Sequence, residues 1–190
     1  MTSKPLLQLV QTQALHPVTK LPLHRPIDLA LNEGEIGVLF GENGAGKSSL
    51  LDRIVFGSRT YAGHIHVNRQ GIAYLPQMTV AEFQIPLRLD ELSLWNGTVP
   101  QVPSTRLWNS ASGGEKQMAL LEMVLAHHSG GGILVLDEPT NHLAPTAKTE
   151  LEARVLAWLR ETSERAVLVV SHDPDLFLNQ RTSSFEVHRA

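Results

Sequence analysis

The sequence contains no cysteine, few aromatic residues and no long apolar run. The absence of cysteine excludes a disulfide-stabilised fold, thiolate metal sites and a cysteine nucleophile. No segment approaches the roughly 18 consecutive apolar residues that cross a bilayer, so any membrane association is expected to be peripheral. No Phe, Tyr or Trp precedes Phe40, which leaves the N-terminal part without these side chains for stacking on a planar ligand.

The chain also lacks an excess of basic charge. The sequence has 16 Lys and Arg residues and 19 Asp and Glu residues, which gives a formal net charge of −3. Proteins that bind nucleic acid generally carry a basic excess, so no nucleic-acid partner is expected. The length of 190 residues is enough for one α/β core with a small extra lobe. We therefore expect residues 1–190 to form a single domain.

Strand-like and helix-like patterns alternate along the chain, which predicts a three-layer α/β fold. The predicted strands are residues 6–10, 27–31, 36–40, 64–67, 72–75, 133–136, 167–170 and 184–187, and the predicted helices are residues 48–56, 115–127 and 146–162. Residues 78–109 contain two tryptophans and several prolines. This stretch predicts a compact helical or irregular lobe inserted into the core.

A glycine-rich segment, residues 41–48, follows the strand at 36–40 and matches the pattern G-x-x-x-x-G-K-[ST]. Glycines allow backbone N–H groups to converge on a phosphate, and a helix that begins there adds its positive dipole end. Lys47 would bind the β- and γ-phosphates of a nucleotide, and the Ser48 hydroxyl would bind Mg²⁺. The nucleotide-binding candidates are Gly41, Glu42, Asn43, Gly44, Ala45, Gly46, Lys47, Ser48 and Ser49. A chance glycine-rich turn is the alternative, but the flanking strand and helix favour phosphate binding.

Two carboxylates end the apolar strand at residues 133–136. Ligands of open α/β sheets bind at the carboxyl ends of strands. Asp137 is therefore a candidate Mg²⁺ ligand together with Ser48, and Glu138 a candidate base for the water that attacks the γ-phosphate. A solvated acidic turn is the alternative, and the nearby glycine-rich loop makes it the weaker one.

Ser112, Gly113 and Gly114 form a second candidate phosphate site at the start of the helix predicted from residue 115. Ser112 is a good N-cap, and the two glycines allow a close approach of the backbone to an anion. The alternative is an ordinary capped helix, because Ser112 and Glu115 have the spacing of a capping box.

The sequence N-S-A-S-G-G-E-K-Q at residues 109–117 resembles the signature sequence of ATP-binding cassette (ABC) ATPases, usually L-S-G-G-Q. Three further matches follow the order of that family: Gln77 after a strand, D-E-P-T-N-H-L at residues 137–143, and His172 after the strand at 167–170. The resemblance implies an ABC-type P-loop NTPase fold with an α/β/α core, an N-terminal antiparallel β part and a short helical subdomain at residues 78–128. It also implies that Gln77 approaches Mg²⁺ and the attacking water, and that His172 contacts the γ-phosphate.

The chain departs from the family pattern at several positions. Ala111 and Glu115 replace the first Leu and the last Gln of the signature, and Ala144 replaces an Asp that usually lies between two protomers. The aromatic residue that stacks on adenine in this family has no counterpart here, and His16 is the nearest planar side chain. Loose binding of the base and weak communication between two ATP sites are the expected consequences.

The resemblance implies that two copies of the chain close head to tail around two ATP molecules with Mg²⁺, with Ser112 acting on the ATP of its partner. The expected partners are a second copy and integral-membrane permease subunits, on the cytoplasmic face of a membrane. Residues 81–92 loosely resemble the corresponding stretch of importers of metals, iron chelates and cobalamin. A stand-alone ABC ATPase that acts on a ribosome or other soluble complex, as residues 141–143 favour, and a small-molecule kinase remain as alternatives.

Overall fold

A computed structural model describes most of the chain. The described residues are 5–57, 61–67, 71–77, 84, 86–92, 105–128, 130–141, 143–173 and 175–190. Most of the expected lobe, at residues 78–83, 85 and 93–104, lies outside them, as does much of the importer-like stretch at 81–92. Within the described part, no helix is both long and apolar enough to cross a membrane.

Eight strands and three helices alternate along the described residues. They are β1 (Leu7–Ala14), β2 (Ile27–Leu31), β3 (Ile36–Phe40), α1 (Lys47–Phe56), β4 (Tyr61–Val67), β5 (Ile72–Leu75), α2 (Gly113–His127), β6 (Gly132–Asp137), α3 (Pro145–Arg160), β7 (Arg165–Ser171) and β8 (Ser183–Glu186). The sequence predicted each of these elements, with end points that differ by a few residues. The α/β fold class is therefore confirmed.

The central sheet has five parallel strands in the order β5-β6-β7-β3-β8. Every residue of β6 and β7 is buried, as expected for parallel strands that are covered on both faces. Because the strands are parallel, the carboxyl ends of β3, β5, β6 and β7 meet at one edge of the sheet. The glycine-rich loop, Gln77, the Asp137–Glu138 pair and His172 all follow those ends.

A smaller antiparallel sheet, in the order β2-β1-β4, confirms the expected N-terminal β part. Buried and exposed residues alternate along β2, so one face of this sheet packs inward. β1 continues to Ala14, beyond the predicted end at residue 10, because a bulge shifts its register between Leu9 and Thr12. At the bulge, Gln11 has a φ of +47°, and its backbone N–H donates a hydrogen bond to Asp28.

Two apolar clusters lie on opposite faces of the central sheet. One contains side chains of α2 and α3, including Leu121, Leu151 and Trp158. The other joins α1 to the antiparallel sheet through residues such as Leu50 and Leu29. The second cluster contains Leu39 of β3 and Leu50 of α1, so the glycine-rich loop between them is anchored at both ends.

Before α2, the described part of the expected lobe contains a short antiparallel pairing and a 3₁₀ turn at Trp108–Ser110. Leu89 and Trp108 donate backbone hydrogen bonds to Arg106 and Leu87, so residues 87–89 pair with residues 106–108. Leu87, Leu89, Leu92, Trp108 and Ala111 form a third, small apolar cluster. Ala119, Leu120 and Met123 pack against this cluster, which ties the middle of α2 to the lobe.

Candidate nucleotide-binding site

The glycine-rich loop turns tightly between β3 and α1. Gly46 has a φ of +92°, and a Cβ there would lie 3.0 Å from the His24 ring and 3.1 Å from Leu23. A Cβ on Gly41 would lie 2.6 Å from the Val187 carbonyl oxygen. Gly46 is also the N-cap of α1, and no side chain caps this helix. The first N–H groups of α1 are therefore free of a side-chain acceptor and suit an anionic ligand.

Lys47 directs its ammonium group back into this loop. The Nζ atom donates hydrogen bonds to the carbonyl oxygens of Gly41 at 2.6 Å and Glu42 at 3.1 Å. It also lies 3.9 Å from a carboxylate oxygen of Glu138. The side chain is buried, so its charge is poorly screened by solvent and acts strongly on a phosphate bound nearby.

Glu138 is held in place by the residues that follow β7. One carboxylate oxygen lies 2.8 Å from His172 Nδ1 and accepts from the His172 backbone N–H at 3.2 Å and the Ser171 hydroxyl at 3.5 Å. Glu138 has a φ of +46°, a conformation that costs roughly 1–2 kcal/mol for a residue with a side chain. Its backbone N–H nonetheless bonds to Val170 at 2.8 Å. The fold thus maintains a strained backbone that turns this carboxylate into the site.

Asp137 lies beside Glu138 and beneath the hydroxyl of Tyr74. Burial, and next the charge of Glu138, raise the pKa of Asp137 above its ordinary value. The Tyr74 hydroxyl donates a hydrogen bond to Asp137 over 3.4 Å. Burial and the Asp137 charge raise the pKa of Tyr74 to about 12, so this hydroxyl stays protonated. A carboxylate whose ionised form is disfavoured in this way fits a divalent cation, which would relieve the repulsion.

These groups line one cleft of about 570 Å³ at the edge of the central sheet. Its lining residues are Leu23, Asn43, Gly44, Gly46, Lys47, Ser48, Ser49, Gln77, Asp137, Glu138, Asn141 and His172. Gly41, Glu42 and Ala45 complete the loop without lining the cleft: Gly41 and Glu42 bond to Lys47, and Ala45 packs in the core. The structure therefore brings the predicted loop, metal and base candidates together.

The start of α2 lies on the surface, outside this cleft. Ser112 and Gly113 are exposed, and Ser112 forms a complete capping box with Glu115. The Ser112 hydroxyl donates to the Glu115 carboxylate at 2.8 Å, and Arg106 bonds to both oxygens of the same carboxylate. Hydrogen bonds from Ser112, and next Arg106, lower the pKa of Glu115. Ser112, Gly113 and Gly114 thus contribute nothing to the cleft of their own chain.

The two other departures from the family pattern have local explanations. His16 does not line the cleft, and its Nδ1 accepts hydrogen bonds from the Val18 and Thr19 N–H groups. Ala144 is the N-cap of α3 and provides no capping side chain. An Asp at this position would cap the helix as well as carry a charge.

Sequence reasoning missed several residues of the site. Leu23 and Asn141 line the cleft, Tyr74 bonds to Asp137, and Arg189 donates a hydrogen bond to the Asn43 carbonyl at 2.6 Å. Tyr74 could have been found by placing residues 72–75 beside 133–136 in one sheet. No sequence signal connects Arg189 with a loop 146 residues away.

Comparison with known sequences identifies similar proteins. The family model described as ABC transporter matches residues 24–141. The zinc import ATP-binding protein ZnuC of Photobacterium profundum is 30% identical over 177 residues, which cover 85% of this chain and 67% of that protein. The hemin import ATP-binding protein HmuV of the same organism is 32% identical, with 78% of this chain and 65% of that protein covered. Across the first zinc-import relatives, the chain spans between 56% and 69% of their length.

Solved structures show the same fold. CbiO1 of Clostridium perfringens, part of the CbiONQ ABC transporter complex, superposes with a TM-score of 0.76 at 16% identity and covers 98% of this chain and 86% of that chain. An ATP-binding subunit of an ABC transporter gives a TM-score of 0.74 at 18% identity, with 96% and 86% covered. The matches confirm the fold and the resemblance that the sequence motifs indicated.

Proposed function

The chain belongs to the ABC transporter family, and from this premise we propose that it binds ATP with Mg²⁺ and hydrolyses it to ADP and phosphate. The observation that supports this most strongly is the single cleft in which Lys47, Asp137, Glu138 and His172 meet. A cation for phosphates, a carboxylate for a metal and a carboxylate for water activation are the groups that ATP hydrolysis requires.

Binding of the phosphate chain rests on the glycine-rich loop. The uncapped N–H groups at the start of α1 and the buried ammonium of Lys47 would bind the β- and γ-phosphates. Ser48, Gln77 and Asp137 supply the oxygen atoms that would hold Mg²⁺. Bound by these residues, Mg²⁺ would neutralise phosphate charge and so assist departure of the ADP group.

Glu138 is the proposed general base. His172 Nδ1 and Ser171 hold one carboxylate oxygen, which fixes the direction in which the carboxylate can accept a proton. The attacking water would donate a proton to Glu138 as its oxygen bonds to the γ-phosphorus. His172 acts on the same carboxylate and faces the cleft, so it is placed to contact the γ-phosphate as well. Release of free phosphate, not transfer to an acceptor molecule, separates this function from a small-molecule kinase.

The exposed start of α2 supplies a site for a second copy of the chain. Ser112, Gly113 and Gly114 of one copy would close over the ATP bound to Lys47 of the other, and two copies would enclose two ATP molecules. This arrangement is consistent with the absence of these three residues from the cleft of their own chain. ATP then favours the closed dimer, and hydrolysis favours its opening.

Opening and closing of the dimer would power a separate membrane permease from the cytoplasmic face. The relatives named for zinc and hemin import favour a permease that imports a metal or metal chelate. Co-purification of the chain with a hydrophobic protein from detergent-solubilised membranes tests this partner. A chain that is fully active and co-sediments with ribosomes would instead support the soluble ABC ATPase.

Replacement of Glu138 by Gln tests the hydrolytic function. Glu138→Gln should leave ATP binding intact, slow phosphate release at least about tenfold, which is about 1.4 kcal/mol, and accumulate an ATP-bound dimer on size-exclusion chromatography. Glu150→Gln, an exposed change of the same type on α3, is the matched control and should retain normal turnover. Near-normal turnover of Glu138→Gln would show that the base lies elsewhere, with His172 the next candidate.

A further inference from the structure

Residues 187–190 lie between the glycine-rich loop and the segment at residues 23–25. On one side, the Val187 N–H donates to the Phe40 carbonyl at 2.8 Å. On the other side, the Arg25 N–H donates to the His188 carbonyl at 2.8 Å, and Arg189 forms a β-bridge with His24. Main-chain hydrogen bonds on both sides therefore fix the backbone from which the Arg189 side chain extends.

The Arg189 guanidinium lies directly against the glycine-rich loop. Its Nη2 atom donates a hydrogen bond to the Asn43 carbonyl oxygen at 2.6 Å. The same nitrogen would lie 2.9 Å from a Cβ on Gly44. Asn43 and Gly44 both line the cleft, so the guanidinium touches the peptide unit that joins two cleft residues.

The geometry of a trans peptide gives this contact a consequence for phosphate binding. In such a unit the C=O and the following N–H point in opposite directions, and the described chain has no cis peptide bond. Because Arg189 holds the Asn43 carbonyl, the Gly44 N–H is directed away from the guanidinium. We propose that Arg189 is a positioning residue that orients the Gly44 N–H toward the phosphate chain of the bound nucleotide. This inference rests on the ATP-binding function proposed above.

The orientation of the Asn43–Gly44 peptide unit requires a contact from outside the loop. Gly44 has a φ of +77°, and a glycine without a side chain leaves the adjoining peptide units free to rotate. A hydrogen bond from a charged guanidinium is about twice as strong as one between neutral groups. Arg189 therefore fixes a peptide orientation that the sequence of the loop alone leaves open.

Removal of the guanidinium tests the inference through nucleotide affinity. Arg189→Ala should raise the Kd for a fluorescent ATP analogue with Mg²⁺ by about five- to tenfold, as expected for the loss of one well-placed phosphate hydrogen bond. Arg189→Lys retains a cationic donor and should lose about threefold or less. Arg160→Ala removes the same charge from the exposed end of α3 and should bind like the wild type.

A second measurement separates positioning from a general effect on folding. In ¹H–¹⁵N spectra, the Gly44 amide of the wild type should shift when ATP is added, and this shift should shrink in Arg189→Ala while the thermal midpoint of the nucleotide-free protein stays within about 2 °C. An unchanged Kd and Gly44 shift in Arg189→Ala, or an equal loss in Arg160→Ala, would overturn the inference and leave the proposed function intact. A wild-type chain that binds no ATP would overturn the proposed function and this inference with it.

Discussion

The glycine-rich loop and the start of α2 both place glycines at a helix N terminus, but the two N termini have different surroundings. α1 begins in a cleft, has no side-chain cap, and has the buried Lys47 beside it. α2 begins on the surface, where Ser112 and Glu115 satisfy each other and Arg106 neutralises the carboxylate. Similar short sequences thus give one helix end that is open to an anion and one that is already occupied by its own side chains.

This difference shows why one chain alone holds only part of the proposed site. The N–H groups of α1 gain an acceptor when a phosphate binds, so binding stabilises that end of the helix. The Ser112 hydroxyl must instead share or leave its capping bond to reach a phosphate, at a cost of about 1 kcal/mol. In the proposed dimer, contact with α2 would therefore be favourable only when the partner presents a fully formed phosphate site.

The largest effect should come from removing the cation of the cleft. Lys47→Ala should weaken ATP binding by about 30-fold or more, since loss of a buried charge contact costs about 2–5 kcal/mol. Ser112→Ala should change ATP binding to the isolated chain by less than about twofold, because Ser112 lies outside the cleft. Isothermal titration of both variants at low protein concentration measures the contrast. Equal losses in the two variants would mean that Ser112 belongs to the cleft of its own chain.

A mixture of the two variants tests whether the two regions act in different copies. Each variant alone should lack ATPase activity because every site in its dimer has a defect. In an equal mixture, the dimer of one copy of each has one intact site, so random pairing should restore about a quarter of the wild-type activity per chain. The control is a mixture of Lys47→Ala and Glu138→Gln. Both changes lie in the cleft, so each cleft of the mixed dimer carries one of them and no site is intact. No recovery in the first mixture would exclude a shared site.

Asp137 provides a test of whether the cleft is arranged for a ligand and not for stability. Because burial and Glu138 raise the pKa of Asp137, its ionised form destabilises the folded chain at neutral pH. Asp137→Asn should therefore raise the thermal midpoint without Mg²⁺ by a few degrees at about pH 7.5. The gain should vanish as the pH falls below the ordinary pKa of Asp, where the carboxyl is protonated in both states. A lower thermal midpoint of Asp137→Asn at neutral pH would contradict this account. Asp137→Asn should also lose the stabilisation that Mg²⁺ and ATP give to the wild type.

The smallest effect is expected at Glu115. Its carboxylate is exposed and paired with Arg106, so Glu115→Gln should change the thermal midpoint by about a degree or less. In the proposed dimer the Glu115 carboxylate would face the phosphates bound to the second copy. Because the amide removes this negative charge, the ATP concentration for half-maximal dimerisation should fall by about twofold or less. Analytical ultracentrifugation at low and high salt measures this shift. A clear loss of dimer would show that the carboxylate itself is needed.

Much of the fold could be predicted because its patterns are local. The apolar runs of β6 and β7, the alternation of β2 and the helical spacing of α1 each identify an element within a few residues. The loop at residues 41–48 and the Asp137–Glu138 pair were recognisable because their chemistry requires specific residues at fixed spacing. The extended pairing of residues 87–89 with 106–108 was missed, since a short pairing across a long connection leaves no periodic signal.

The contacts that hold the site were not predictable in the same way. Tyr74 reaches Asp137, His172 reaches Glu138 and Arg189 reaches Asn43 only after distant strands have been placed side by side. Nor could the strain at Glu138 be read from its residue type, because its φ of +46° occurs where its N–H bonds to Val170 of a distant strand. The candidate residues could thus be chosen from the sequence, whereas the contacts that position their side chains depend on tertiary structure.

The strand order has a consequence for how the chain matures. Both neighbours of β3 in the sheet, β7 and β8, follow it by about 130 residues or more, so β3 has no permanent partner until most of the chain has been synthesised. A nascent chain that has already presented residues 41–48 therefore still lacks the cleft, which also needs β6 and residues 171–172. During synthesis, ATP should begin to protect the chain from proteolysis only when the last central strand joins the sheet.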